Sequence, residues 1–247
     1  CSEHHLGDDL FTSKSDCEEN CINSNGEDTF CLREYDEISW GGQNNILHLS
    51  VTTEINNISY DLEILGDYIY SSNWAGGLRR FNHTLIDPEW EIIPLPMDNQ
   101  SSLTCGNIDE TSYELNPVDF DNHKPFSVHS LDNILWVGTA DGINKGEING
   151  DCINWTHLNS YDSGFFDNWV IAFNHQLMDN GSDRLWAITW EKDSVGNIGP
   201  PSYSDDGDTW TYPEQLVQLG VKAHNISFNN NYIYLATDQG LYISNDG

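Results

Sequence analysis

Basic residues are scarce in this chain. Nine Lys and Arg stand against 40 Asp and Glu among 247 residues, a formal net charge of −31. So acidic a protein is repelled by nucleic acid and by anionic membrane surfaces, which excludes nucleic-acid partners. Long apolar runs are also missing. Nothing approaches the roughly 18 consecutive apolar residues of a membrane-spanning helix. No stretch sustains a 3.6-residue apolar period, so little helix is expected. Position 1 does not open the basic, apolar and small-residue succession of a signal peptide, so the chain reads as mature or as a piece of something longer. The six cysteines contain no CxxC, which argues against zinc ribbons, thioredoxin-like redox sites and c-type haem. Nucleophile-elbow, phosphate-loop and dinucleotide motifs are absent as well.

Aromatic residues are plentiful. With 9 Trp, 11 Tyr and 9 Phe, the chain has the means to build a sizeable core, and wholesale disorder is excluded. An even number of cysteines without metal spacing suits disulfides in an oxidising compartment. Cys105 follows a long polar loop and Cys152 sits in the turn Gly150-Asp151-Cys152, so these two are expected to pair. Cys1, Cys17, Cys21 and Cys31 allow three pairings, and His4 and His5 add a metal-binding alternative there. Cys1 could also be the lipid-bearing residue of a bacterial lipoprotein, although that would leave an odd number of thiols. The six N-x-S/T sequons are about what an Asn- and Ser/Thr-rich chain holds by chance, so they say little about glycosylation. No cofactor is expected, with calcium as the one cation the acidic loops could take. Asn23–Asp28 has some features of a calcium loop, but its Gly is misplaced and its closing Glu is missing.

Four segments repeat: Tyr68–Phe81, Ile134–Lys145, Arg184–Trp190 and Tyr232–Ile243. Each opens with an aliphatic and an aromatic residue. A small residue and then Thr or Asn follow, and three of the four continue through a turn ending in Gly. An apolar strand precedes each one: Ile58–Leu65, Pro125–Leu131, Trp169–Leu177 and Ala223–Phe228. Asn154–Leu158 and Thr209–Tyr212 follow the second and third as outer strands. Small residues at Ser72, Gly138 and Ala236 would let neighbouring sheets approach. The fold expected is all-β, a β-propeller of four-stranded antiparallel blades. About four blades are visible over residues 58–247, after a Cys-containing segment 1–57 that closes or precedes them.

At Tyr203-Ser-Asp-Asp-Gly-Asp-Thr-Trp210 the chain resembles the Asp-box of bacterial-neuraminidase-repeat propellers. Gly-Gly-Leu-Arg-Arg at 76–80 and Trp-Val-Gly-Thr-Ala-Asp-Gly-Ile at 136–143 are similar to secreted bacterial propellers of that superfamily. The resemblance runs from about Ile58 to Gly247. It implies that Asp205, Gly207, Thr209 and Trp210 hold a turn, with Trp210 packed between blades. Members usually have more than four blades, which implies that this chain is part of a larger propeller. Fold does not fix activity. Sialidases of the group clamp a carboxylate with three arginines, whereas this chain has only Arg33, Arg79, Arg80 and Arg184 and no Arg-Ile-Pro motif.

The candidate ligand site lies at the mouth of the central channel. His123, Lys124, His175, Lys222 and His224 fall at or near innermost strands, and Trp74, Trp169 and Trp190 could stack on sugar rings. Three functions remain. The first is an extracytoplasmic, non-catalytic module that binds carbohydrate or protein. The second is a polysaccharide-active glycoside hydrolase of the Asp-box type, and the third a structural subunit of a cell-surface assembly. The expected location is extracellular or at the cell surface, with the periplasm as the alternative.

Overall fold

The computed structural model describes residues 38–40, 43–45, 58–107, 113–191, 199–230 and 232–245. The chain divides into two compact units, Cys1–Val51 and Thr52–Gly247. In the first unit, β1 (Ile38–Trp40) and β2 (Gln43–Asn45) form an antiparallel pair. Cys1, His4, His5, Cys17, Cys21, Cys31 and the Asn23–Asp28 loop lie outside the described residues.

The second unit is a run of antiparallel sheets in chain order. The first comprises β3 (Ser59–Leu65), β4 (Tyr68–Asn73), β5 (Gly77–Asn82) and β6 (Trp90–Ile93). The second comprises β8 (Pro125–Leu131), β9 (Ile134–Thr139), β10 (Gly142–Asn149) and β11 (Cys152–Leu158). A short fifth strand, β7 (Ser102–Leu103), pairs with the outer edge of β11. The third sheet is β12 (Trp169–Leu177), β13 (Asp183–Trp190) and β14 (Pro201–Ser204). The fourth is β15 (Ala223–Asn229), β16 (Tyr232–Thr237) and β17 (Gly240–Ser244). Successive sheets pack face to face as the blades of a β-propeller.

The blades are less uniform than four strands each. Thr209–Tyr212 forms no strand: Thr211 meets Tyr203 through a single bridge, and the short helix α2 (Glu214–Leu219) follows, after α1 (Ser160–Ser163) earlier in the chain. The turn before Thr211 is tied up by side-chain hydrogen bonds, and Pro213 has no N–H to extend a ladder.

One apolar cluster fills each blade junction. Tyr70, Leu78, Ile93 and Leu95 meet Val128, Leu135, Val137 and Trp155. Trp136 and Ile143 meet Val170, Leu185 and Trp210. Trp186 and Ile188 meet Ala223, Ile226, Ile233 and Leu235. Alternation along each strand supplies both faces at once, which is why the segments read as aliphatic-aromatic pairs. Gly138 lets the second and third blades close up: a Cβ there would run into Ser127 Oγ and the Val170 carbonyl. Ala236 is exposed on the fourth blade, where the described residues place no neighbouring sheet against it. Leu241 and Ile243 are exposed beside it, and so are Leu62 and Ile64 on the first blade.

The Thr/Asn of each repeat has a common role. Asn73 Nδ2 and the hydroxyls of Thr139, Thr189 and Thr237 donate to the carbonyls of Gly77, Gly142, Pro200 and Gly240. Each bond ties the end of one strand to the start of the next. The long excursion between the first two blades is pinned by the Cys105–Cys152 disulfide, which fixes it to the β10–β11 turn.

Candidate functional site

Each innermost strand among the described residues carries a bulge near its start. The pairing skips one residue between Ser59 and Asp61, between Pro125 and Ser127, between Val170 and Ala172, and between Ala223 and Asn225. The extra residues are Tyr60, Phe126, Ile171 and His224. A bulge bends its strand and re-aims a side chain. Repeated in four adjacent blades, it delivers four side chains to one end of the inner edge.

Tyr60, Phe126 and Ile171 line a cavity of about 350 Å³ with Trp74, Trp169 and Trp190. Phe126 is its hub, with ring centroids 4.8 Å from Trp74, 5.6 Å from Trp169 and 5.5 Å from Tyr60. Trp169 and Trp190 are register partners across the third blade. Trp190 Nε1 donates to the Ala223 carbonyl at 2.7 Å. Trp169 Nε1 is buried with no hydrogen-bond acceptor among the described residues. Lys222 Nζ lies 3.8 Å over the Trp190 ring, and His224 packs edge-on against the same ring at 5.4 Å. Lys124 Nζ lies 5.7 Å over Trp74 and pairs with Asp121 at 2.5 Å. Two of the few cations of an acidic chain therefore border one aromatic cavity.

Two histidines of the expected set lie elsewhere. His123 closes a 3-10 turn at Asp121–His123 and is fully buried between Tyr113 and Phe120. Its Nδ1 accepts the Asn116 N–H at 3.1 Å, and burial holds its pKa below the usual histidine value. It belongs to the core, because it sits in the turn that precedes β8, which starts only at Pro125. His175 is six residues beyond Trp169 on β12, about 20 Å along an extended strand. There it faces His129 of β8, with His129 Nε2 and His175 Nδ1 3.0 Å apart.

The His129 end of the inner edge was not singled out from sequence. Glu63 Oε2 lies 4.0 Å from His129 Nδ1, and Ser130 Oγ donates to Glu63 Oε1. Asp61 accepts the Val128 and Leu62 N–H groups at 3.1 and 2.9 Å. Burial raises the pKa of Asp61, against the lowering effect of those bonds. Burial, followed by the His175 ring, brings His129 down to about 4, so this imidazole is neutral at pH 7. Acidic residues are so common here that no spacing in the sequence marks Asp61 or Glu63.

The Tyr203–Trp210 turn also distributes its roles differently from expectation. Asp206, not Asp205, holds the turn: its Oδ1 accepts the Asp208 and Thr209 N–H groups at 2.9 and 2.7 Å. These bonds, that of Thr209 first, hold its carboxyl down to about 2. Ser204 Oγ accepts the Gly207 N–H and donates to the Thr209 carbonyl. Asp205 forks instead onto Arg184 at 2.7 and 3.0 Å, with the guanidinium over Tyr203. With two adjacent Asp residues and one Gly, the turn is built one residue shorter than the Asp-box resemblance implies.

No protein-family model matches the chain, and no curated protein does. Among solved structures it is similar to the extracellular domain of the putative hybrid two-component system BT3049 from B. thetaiotaomicron. That likeness has a TM-score of 0.50 and 16% identity over 79% of this chain and 23% of the other, so this chain spans about a quarter of its length. The Myceliophteria thermophila Cps50 (Swd1) β-propeller domain follows with a TM-score of 0.47 and 13% identity, over 76% of this chain and 58% of that one. The extracellular domain of the putative one-component system BT4673 from B. thetaiotaomicron has a TM-score of 0.43 and 12% identity, over 83% and 28% respectively. At these identities the likeness concerns the fold. No helix among the described residues is long and apolar enough to cross a membrane.

Proposed function

We propose that this chain is a non-catalytic propeller module of the Asp-box kind, working outside the cytoplasm, that binds a carbohydrate at the aromatic cavity. The observation that carries the reading is the repeated bulge. Four blades use the same irregularity to bring side chains to one place, and strand irregularities concentrate at functional sites. Trp74, Trp169 and Trp190 offer flat apolar faces for sugar rings. Lys222 at the rim favours a sugar bearing a carboxylate, while the Lys124 charge is offset by Asp121. The Cys105–Cys152 disulfide supports an extracellular or cell-surface location. Ser204 and Asp206 supply the hydroxyl and carboxylate of an Asp-box with a shortened turn.

A protein or peptide ligand is the alternative occupant of the same cavity. A hydrolase reading draws on Asp61 and Glu63, two carboxylates on one face of an inner strand. Both already accept hydrogen bonds from the protein, which favours a structural role. An assembly role draws on the exposed apolar faces at Leu62, Ile64, Leu241 and Ile243.

The test is a panel of neutral and uronic-acid oligosaccharides, with short acidic peptides as comparison, measured for both binding and turnover. Oligosaccharide binding should weaken about tenfold or more in Trp169→Ala and Trp190→Ala, since stacked anchors dominate such sites. Binding unchanged in both variants, or turnover lost in Asp61→Asn, would overturn the proposal.

A further inference from the structure

The innermost strands of three blades bring a second group of side chains together, at the far end of β12 from the aromatic cavity. Alternation puts Asp61 and Glu63 on one face of β3. His129 comes from β8 and His175 from β12. The imidazole nitrogens His129 Nε2 and His175 Nδ1 face each other at 3.0 Å, with the ring planes 31° apart. On the opposite edge of the His129 ring, Glu63 faces Nδ1 at 4.0 Å. Ser130 Oγ steadies that carboxylate.

We propose that His129 and His175 form a two-imidazole site for a late first-row divalent cation, Cu²⁺ or Zn²⁺. A metal–nitrogen bond of about 2.0–2.1 Å separates two imidazole nitrogens by about 3.3 Å in a tetrahedral site and about 2.9 Å in a square-planar one. The observed separation lies between the two, so either ion fits with shifts of a few tenths of an ångström. Water completes the coordination, since no third His, Cys, Asp or Glu ligand converges there among the described residues. Glu63 serves as a positioning residue once its carboxylate closes the 4.0 Å gap to Nδ1 to hydrogen-bond distance. A carboxylate behind a ligating histidine holds the proton on Nδ1 and leaves the Nε2 lone pair free for the metal. The His175 proton sits on its own Nε2 in the bound form, which leaves its Nδ1 lone pair for the metal. Asp61 and Glu63 add negative charge beside the ion, in a chain already strongly anionic.

The site is separate from the sugar-binding reading and can be tested without a sugar. The 247-residue chain is used with His4→Gln and His5→Gln, which removes a competing pair of histidines. Titration with Cu²⁺ alone should give one tight equivalent, with an electron paramagnetic resonance spectrum showing coupling to two nitrogens. His175→Gln should reduce the coupling to one nitrogen and weaken binding. His129→Gln should do the same. Since His175 is exposed, its variant decides the matter if the His129 variant fails to fold. Glu63→Gln should weaken binding about tenfold while the two-nitrogen pattern persists, as expected of an orienting group. His157→Gln should change nothing, because both His157 ring nitrogens already face backbone carbonyls. Absence of stoichiometric binding in the parent, or a two-nitrogen spectrum surviving His175→Gln, would overturn the site.

Discussion

Trp210 stands edge-to-face against Trp136 of the preceding blade, with ring centroids 6.3 Å apart. Phe165 approaches the same indole at 6.1 Å, also edge-on. The turn that delivers Trp210 is therefore a clamp between blades as well as a connection within one. Gly207 reinforces it. Its φ of +76° suits glycine, and a Cβ there would come within 2.6 Å of the Trp136 ring.

Trp210→Ala should destabilise the protein by about 3–5 kcal/mol, as deletion of a large buried aromatic generally does. Trp210 is 4% exposed and packed against Trp136 and Phe165, so its removal leaves an interior void. Chemical denaturation read by tryptophan fluorescence and by circular dichroism checks this. An unchanged midpoint would show that the junction of the second and third blades does not depend on the indole.

The His123 imidazole makes stability depend on pH. Burial keeps its folded-state pKa below the unfolded value, which is about 6.5. The unfolded chain therefore takes up the proton first. The contribution is complete above pH 6.5 and is lost as the pH falls towards the folded value, at up to about 1.4 kcal/mol per pH unit. Urea unfolding between pH 7.5 and 4.5 should show a shallower decline in His123→Gln than in the parent, with the variant weaker at the upper end. Parallel curves would mean that His123 takes up its proton equally in both states.

The strand skeleton was legible because each blade must bury two faces. That requirement writes itself into alternation, as at Leu135-Trp136-Val137, and the observed inner strands begin within a residue of the expected places. The bulges were not legible. Tyr60, Phe126, Ile171 and His224 share no residue type, since the bulge is a property of the pairing and leaves no local mark. Lys124, Lys222, Trp74, Trp169 and Trp190 fall at strand ends of successive blades, and ring geometry gathers such ends around one cavity. The same reasoning failed for His123, where a 3-10 turn broke the strand pattern one residue early. It failed again at Asp205 and Asp206, which are chemically interchangeable in sequence and differ only in where the turn begins. His129 and His175 come from adjacent blades at unequal distances from their bulges, so no spacing could pair them.

The junction of the second and third blades also sets a limit on residue size. Gly138 is on β9, facing Ser127 of its own blade and Val170 of the next. An alanine methyl at this position would overlap the Ser127 hydroxyl, the Val170 carbonyl and, at 2.7 Å, a Val170 methyl. Two of these three atoms belong to the neighbouring sheet, and one of those is backbone, so relief requires the blades to part. Ser127 Oγ also donates to the Val170 carbonyl, so the same movement breaks a buried hydrogen bond. Gly138→Ala should therefore cost about 1–3 kcal/mol, the range for overpacking a filled interior. Gly150→Ala is the control. It too adds one methyl, but to a turn where nothing lies within 4 Å, and its φ of +63° confines the cost to backbone strain of about 1 kcal/mol. Thermal unfolding of the two variants separates packing from strain. If Gly138→Ala unfolds at the same temperature as the parent, the blades do not approach as closely as the structure has them. If it falls well below Gly150→Ala, the close contact at Gly138 is a condition for stacking the blades that carry Phe126 and Trp169 to the cavity.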